Sequence, residues 1–276
     1  MSSRLDAQLV TRGLARSRAQ ARELITGGSV LVDGAVRTKP ATAVDEHARI
    51  ELSVEPDRWV GRAALKLLHA LELWGPAGSR VATTTARIDA RGRRCLDVGA
   101  STGGFTQVLL EHGAASVTAL DVGHGQLVAQ LAGDPRVIDL PGTNIRQVRP
   151  GDLGDPFDLV VADLSFISLT LTLGPMGGLV ADDGDLVVLV KPQFEVGRDR
   201  LGRGGVVTSP HEHRRVLLDV HHHATTLGLV VVDAARSPIQ GSEGNREFLL
   251  WLTPRPATTG LGPDDMLGRM DLEAHS

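Results

Sequence analysis

From residue 95 onward the sequence alternates short apolar runs with amphipathic stretches, and this rhythm constrains the fold more than any other feature. Apolar runs fall at 95–98, 116–120, 136–140, 157–162, 185–190, 230–234 and 247–252, with helical periodicity at 104–112, 126–132 and 210–227. Strands interleaved with helices need crossover connections, which make neighbouring strands parallel and place helices on both faces of the sheet. The expectation is an α/β domain over 95–253 with a mostly parallel, seven-stranded sheet. At 276 residues and 42% hydrophobic content, the chain can bury that core and a smaller domain beside it.

The first sixty residues follow a different pattern. Leu5, Leu9 and Val10 share a helical face that Gly13 stops, and Ser17 stands at an N-cap position before Ala21, Leu24 and Ile25. Asp33-Gly34 then separates two short apolar runs, the signal for a tight hairpin. Residues 1–40 carry seven basic against three acidic side chains, although the whole chain has a net charge of −4. A small α+β domain over 1–60 with a local phosphate-binding face is expected. Residues 61–94 read as a linker with a helix over 61–74 and a possible insertion, and 254–276, which lack periodicity, as a flexible tail.

Composition narrows the function. A single cysteine, Cys95, cannot form an internal disulfide, and the N-terminus has no apolar leader, so a reducing, cytoplasmic setting is expected. No apolar run approaches the roughly 18 residues that span a bilayer. Aromatic residues make up 3% of the chain, with no tyrosine, which argues against a broad base-stacking surface. His211, His213 and His221 to His223 share one predicted helix, but no acidic or cysteine partners complete a metal site, and none is expected.

The chemistry gathers at the strand ends. Asp97 is followed by Gly99-Ala100-Ser101-Thr102-Gly103-Gly104-Phe105, a strand running into a glycine-rich turn that admits a ligand close to the backbone. The spacing is neither a P-loop nor that of a dinucleotide fold. Asp121 closes the second strand, where an acid can accept hydrogen bonds from ribose hydroxyls, and Asn144 follows the third, beside an adenine edge. Asp163 ends the fourth strand and Lys191 ends the apolar run 187–190, so both face the same crevice.

Two resemblances follow. Arg4-Leu5-Asp6, Gly13 to Arg18, Val32-Asp33-Gly34 and Lys39-Pro40 resemble the S4 RNA-binding domain, which implies RNA contacts from Arg16, Arg18 and Arg22, with Arg4 and Lys39 as further candidates. The acidic residue and glycine-rich turn resemble S-adenosylmethionine-dependent methyltransferases of Rossmann-like fold. That resemblance implies S-adenosylmethionine as cofactor, with Asp97 and Gly99 to Phe105 at its methionine part, Asp121 at its ribose, and Asn144 and Asp163 completing the site. Lys66, Asp163, Lys191 and Glu247 resemble the catalytic tetrad of the FtsJ-like ribose 2'-O-methyltransferases. In such chemistry a weakly nucleophilic hydroxyl must attack a methyl group while losing its proton. Lys191 can take that proton if burial and neighbouring cations favour its neutral form, whereas Asp163 favours the ammonium.

The S4-like module, Arg62-Ala63-Ala64-Leu65-Lys66-Leu67 and the 96–105 motif together resemble the TlyA family, which carries a hemolysin-like name. Membership implies methylation of cytidine 2'-hydroxyls in 16S and 23S ribosomal RNA, with rRNA in subunits or ribosomes as partner and no membrane. Because Lys66 precedes the alternating region, its delivery to the site is expected to depend on docking of the first module. Three other readings stay open: a noncatalytic RNA-binding or assembly factor, a membrane-lysing hemolysin, and a nicotinamide oxidoreductase.

Overall fold

The computed structural model describes residues 2–15, 17–26, 30–45, 47–52, 58–80, 87–197, 200–241, 243–255, 258–270 and 272. The chain divides into two units at Arg58 and Trp59.

In the first unit the order is β1 (Ser2–Arg4), α1 (Leu5–Thr11), α2 (Arg18–Thr26), β2 (Val30–Val32), β3 (Ala35–Val36), β4 (Ala43–Asp45) and β5 (Ile50–Leu52). The Ser17 side chain accepts a hydrogen bond from the Gln20 backbone N–H at 3.2 Å, as its capping position predicts. Asp33 and Gly34 both adopt positive φ, 50° and 78°, which turns β2 into β3. Leu5 and Leu9 of α1, Ala21 and Ile25 of α2 and Val30 of β2 are fully buried together. Strands β1, β4 and β5 have three residues each, too few for alternation to mark them in the sequence.

The second unit begins with α3 (Ala64–Trp74), followed by β6 (Arg94–Val98), α4 (Gly104–Glu111), β7 (Ser116–Leu120), α5 (Ala129–Ala132), β8 (Val137–Leu140), β9 (Phe157–Ala162), α6 (Leu173–Gly177), β10 (Val180–Val190), α7 (Pro192–Glu195), α8 (Pro210–Thr226), β11 (Val230–Arg236), β12 (Phe248–Thr253) and α9 (Pro263–Gly268). The strands form one sheet in the order β11-β12-β10-β9-β6-β7-β8. Pairing is parallel from β8 through β10, and β12 runs antiparallel between β10 and β11. Alternate side chains sort to opposite faces: Val160, Val188 and Leu250 pack with Leu217 and Val220 of α8. Val161, Val187 and Leu249 pack with Leu67 of α3 and Leu109 of α4.

Three boundaries differ from the sequence reading. The stretch 61–74 is no linker, because Leu67, Ala70 and Trp74 are fully buried in the same cluster as Leu249 and Trp251. Residues 254–276 are no free tail over their described part. Leu261, Met266 and Met270 enter the core, and the Leu261 N–H donates to the Val231 carbonyl at 2.7 Å. That anchor is tertiary, so no local periodicity marks it. The helix expected over 126–132 shrinks to α5, since Gln126 faces a cavity and its side-chain oxygen accepts from the Ser101 hydroxyl at 3.1 Å.

Candidate active site

The parallel strands all end on one side of the sheet, so the turns after β6, β7 and β9 and the residue after β10 converge there. Gly99 takes φ +85°, and a Cβ at that position would stand 2.9 Å from the Asp163 carbonyl oxygen. Only glycine lets the first turn lie so close to the end of β9. Asp121 ties two turns together, accepting from the Ser101 N–H at 2.8 Å and the Gly123 N–H at 2.7 Å.

Two cavities flank this ridge. The first, about 330 Å³, is lined by Gly99, Ser101, Asp121, Thr143, Ile145 and the stretch 163–166, among others. Each Asp121 oxygen uses one lone pair on a backbone N–H and keeps another for a hydroxyl, which suits a vicinal ribose diol. The described lining holds two carboxylates and no lysine or arginine. Of the two, Asp163 is paired to lysines behind the wall, so Asp121 is the carboxylate left to face a ligand, and it suits a ribose diol better than a pyrophosphate.

Several residues expected at this cavity stand elsewhere. Asp97 is fully buried beneath the turn, accepting from the Thr106 hydroxyl at 2.7 Å, while its Oδ1 has no partner. Burial pushes the Asp97 carboxyl up to about 7, against the opposing hydrogen bonds from Thr106. Phe105 packs into the core between sheet and helices. Gly104 meets the start of α3, where a Cβ would sit 3.1 Å from the Ala64 nitrogen. Gly103, at φ +99°, makes room for Leu127 and Leu131. Ala100 is buried and Thr102 is exposed, and neither lines the cavity. Asn144 caps a 3₁₀ turn, accepting from the Arg146 N–H at 3.1 Å, and leaves its neighbours Thr143 and Ile145 on the cavity wall. Thr143, read with Gly142 and Asn144 as flanking an adenine edge, does line the cavity, whereas Gln126, Ile145 and Ser165 carried no spacing signal of their own.

The second cavity, about 450 Å³, adjoins the first through Ser101, Ser165 and Phe166. Lys66, Lys191 and Glu247 line it, with Asp163 bridging the two lysines. Lys66 Nζ lies 3.0 Å from Asp163 Oδ2 and 2.6 Å from Glu247 Oε2. Lys191 Nζ lies 2.6 Å from Asp163 Oδ1 and donates to the Ser165 hydroxyl at 2.9 Å. Burial alone would lower the Lys66 ammonium, but the charges of Asp163 and Glu247 outweigh it and raise the group above its ordinary value. Burial likewise opposes the Asp163 carboxylate, and the two lysines hold it below the usual range. All four side chains belong to the second unit, and Lys66 reaches Asp163 from a helix packed in that unit's own core.

Beside this cluster, Phe166 takes φ +64° and is 90% exposed, its ring centroid 5.1 Å from that of Phe194. Cys95 is buried, and burial pushes its thiol up to about 12, which removes it from the chemistry. His213 Nε2 contacts the Val207 carbonyl and His221 Nε2 the Leu261 carbonyl, so each of these rings braces backbone.

In the first unit, Arg4, Arg18 and Arg22 converge on the buried Asp6, at 3.0, 3.0 and 3.5 Å. Lys39 is exposed and lines a groove with Arg37. Arg16 lies outside the described residues.

Among the described residues no helix is long and apolar enough to cross a membrane. Residues 59–253 match the family of FtsJ-like methyltransferases and residues 3–50 the S4 domain. The chain is 48% identical to the 16S/23S rRNA (cytidine-2'-O)-methyltransferase TlyA of Mycobacterium tuberculosis, over 97% of this chain and 96% of the relative. It is 35% identical to hemolysin A of Brachyspira hyodysenteriae, over 89% and 98% of the two chains. A solved hemolysin-named structure from Streptococcus thermophilus superposes with a TM-score of 0.74 at 35% identity, covering 97% of this chain and 94% of that one. With identity at these levels along nearly its whole length, the chain belongs to the TlyA family, in which an S4 domain precedes an FtsJ-like methyltransferase domain.

Proposed function

We propose that this protein transfers a methyl group from S-adenosylmethionine to the 2'-hydroxyl of cytidines in 16S and 23S ribosomal RNA, in the cytoplasm. The observation that carries the reading is the buried tetrad of Lys66, Asp163, Lys191 and Glu247 at the junction of an acidic, adenosyl-sized cavity and a second cavity open to a nucleotide. The activity of the Mycobacterium tuberculosis relative supports both the reaction and the substrate.

Held by Asp121 and the other residues lining the first cavity, S-adenosylmethionine would supply an electrophilic methyl group. Lys66, held charged between two carboxylates, donates a hydrogen bond that fixes the ribose hydroxyl oxygen. Lys191, oriented by Asp163 and Ser165, must first release an ammonium proton to solvent, and its neutral amine then receives the hydroxyl proton as the oxygen attacks. Asp163 pairs with the resulting ammonium, and Glu247 keeps Lys66 from swinging away. The exposed Phe166 ring, beside Phe194, offers a stacking face for the target base. The arginines gathered by Asp6 supply phosphate contacts for the folded RNA.

The test is transfer of labelled methyl to purified unmethylated 30S and 50S subunits, located by nuclease digestion and mass spectrometry, with Lys191→Ala in parallel. Label on a cytidine ribose, reduced at least 100-fold in the variant, is the expected result. Absence of transfer to either subunit overturns the reading.

A further inference from the structure

Gln193 stands two residues beyond Lys191, in α7, and lines the cavity that holds Lys66 and Glu247. Its side-chain Nε2 donates to Glu247 Oε1 at 3.4 Å. Glu247 is ion-paired to Lys66 through its other oxygen, and an ionised carboxylate only accepts. The amide is therefore held with its NH2 toward Glu247 and its oxygen turned the other way. That oxygen, Gln193 Oε1, is buried and has no hydrogen-bond partner. Asp163 Oδ1 and Glu247 Oε2 also lack hydrogen bonds, yet each faces a lysine ammonium at 2.6 Å, so the Gln193 oxygen alone among them is uncompensated. The neighbouring Asn245 is already committed, accepting from the Val207 N–H at 2.9 Å and donating to the Gly205 carbonyl at 3.0 Å.

A fixed acceptor without a donor, on a residue that lines the cavity of the two lysines, calls for a donor on the ligand, and the two pyrimidines differ in what they present at position 4. The 2'-hydroxyl and the base hang from adjacent ribose carbons, so a hydroxyl held at Lys66 and Lys191 brings its base into this same cavity. Cytosine carries an amino group at position 4, a donor, where uracil carries a carbonyl oxygen, an acceptor. We propose that Gln193 Oε1 accepts a hydrogen bond from the 4-amino group of the target cytosine and is the specificity-determining contact that separates cytidine from uridine. The inference rests on the 2'-O-methyltransferase reading above. Glu247 enforces the choice, because the amide cannot rotate to offer its NH2 to uracil without abandoning that carboxylate. Uracil seated in the same position meets oxygen with oxygen at position 4 and can offer its N3–H only by shifting away from the methyl-accepting geometry, and a site built around a buried hydrogen bond rejects a base that cannot make it in place.

The test uses subunits reconstituted with cytidine, uridine or the riboside of pyrimidin-2-one, which lacks only the 4-amino group, at the mapped target position. The full-length protein is expected to methylate the uridine and pyrimidin-2-one substrates with kcat/KM at least about tenfold below cytidine. Gln193→Met, which keeps the side-chain length and removes the amide, is expected to bind S-adenosylmethionine normally and to treat all three substrates within about threefold of one another. The pyrimidin-2-one arm needs no variant, so it stands even if the substitution disturbs folding. Equal rates for the full-length protein on cytidine and pyrimidin-2-one, or a variant that keeps the cytidine preference, overturn the assignment while leaving the methyltransferase reading intact. No methyl on any of the three overturns both.

Discussion

The indole Nε1 of Trp74 donates a 3.0 Å hydrogen bond to Asp233 Oδ2, and both groups are buried. Trp74 closes the helix that carries Lys66 two turns earlier, so this bond fixes the rear of α3 to β11 at the point where the strand register shifts. Trp74→Phe removes the donor and part of the packing, at a cost of about 2 kcal/mol, or several degrees in Tm. If the bond also sets Lys66, kcat falls about tenfold while KM for S-adenosylmethionine holds. Calorimetry with steady-state kinetics checks both, and a destabilised variant with full kcat shows that the rear of the helix does not govern Lys66.

Phe166 combines a left-handed backbone with near-complete exposure, a pairing that folding alone does not favour. Phe166→Ala is expected to change stability by less than about 0.5 kcal/mol, as exposed substitutions do. Loss of a stacked base lowers kcat/KM on subunits about tenfold or more. Retained activity would remove Phe166 from the substrate face.

Asp97 predicts a pH dependence of stability. Its folded-state value of about 7 lies above the ordinary 3.8, so the folded protein binds the proton more tightly than the unfolded chain. Stability therefore falls as pH rises between those two values, and it levels off above them. Melting curves from pH 4 to 8 should show this slope in the native protein and a shallower one in Asp97→Asn, which keeps an acceptor for Thr106 without the buried charge. Identical slopes would place the titration elsewhere.

Asp6 titrates in the opposite sense. The hydrogen bond from Arg4 leads, burial opposes it, and Arg18 adds to it, so the carboxyl is held well below its ordinary 3.8. This contribution is complete above that value and is lost as pH falls toward the folded-state value. Asp6→Asn should flatten the acid limb of unfolding. It should also weaken RNA binding several-fold by letting three guanidiniums disperse, whereas Arg18→Ala should reduce the slope of log affinity against log salt by about one. Filter binding across a salt series separates the two effects.

Local physics made much of this architecture readable. Phe157–Ala162 and Ser116–Leu120 were legible as strands because each is a short, mostly apolar run bounded by polar turns, as buried strands of a parallel sheet are. Lys191 stood out because a lysine ending such a run has few places to go except a crevice. The 163–166 loop gave no such signal for Ser165, which is polar in a polar loop and earns its place only through the Lys191 ammonium that reaches it. Asn144 misled because a polar residue after a strand suits a ligand and a helical cap equally well.

The sequence by itself determined the seven strands of the second unit and the glycine turn, since period and turn chemistry are local properties, while the tetrad was singled out by its resemblance to the FtsJ-like methyltransferases. Only the tertiary structure decided which motif residues face a ligand and which support the fold. Asp97 and Phe105 sit inside the most recognisable motif of the chain, yet strand direction and helix packing turn both into the interior. Gln193, outside every motif, is drawn to the tetrad by Glu247, 54 residues away in the chain. That separation is the physical reason: the partner that fixes an amide, or buries an acid, comes from another strand, and no window along the sequence contains both.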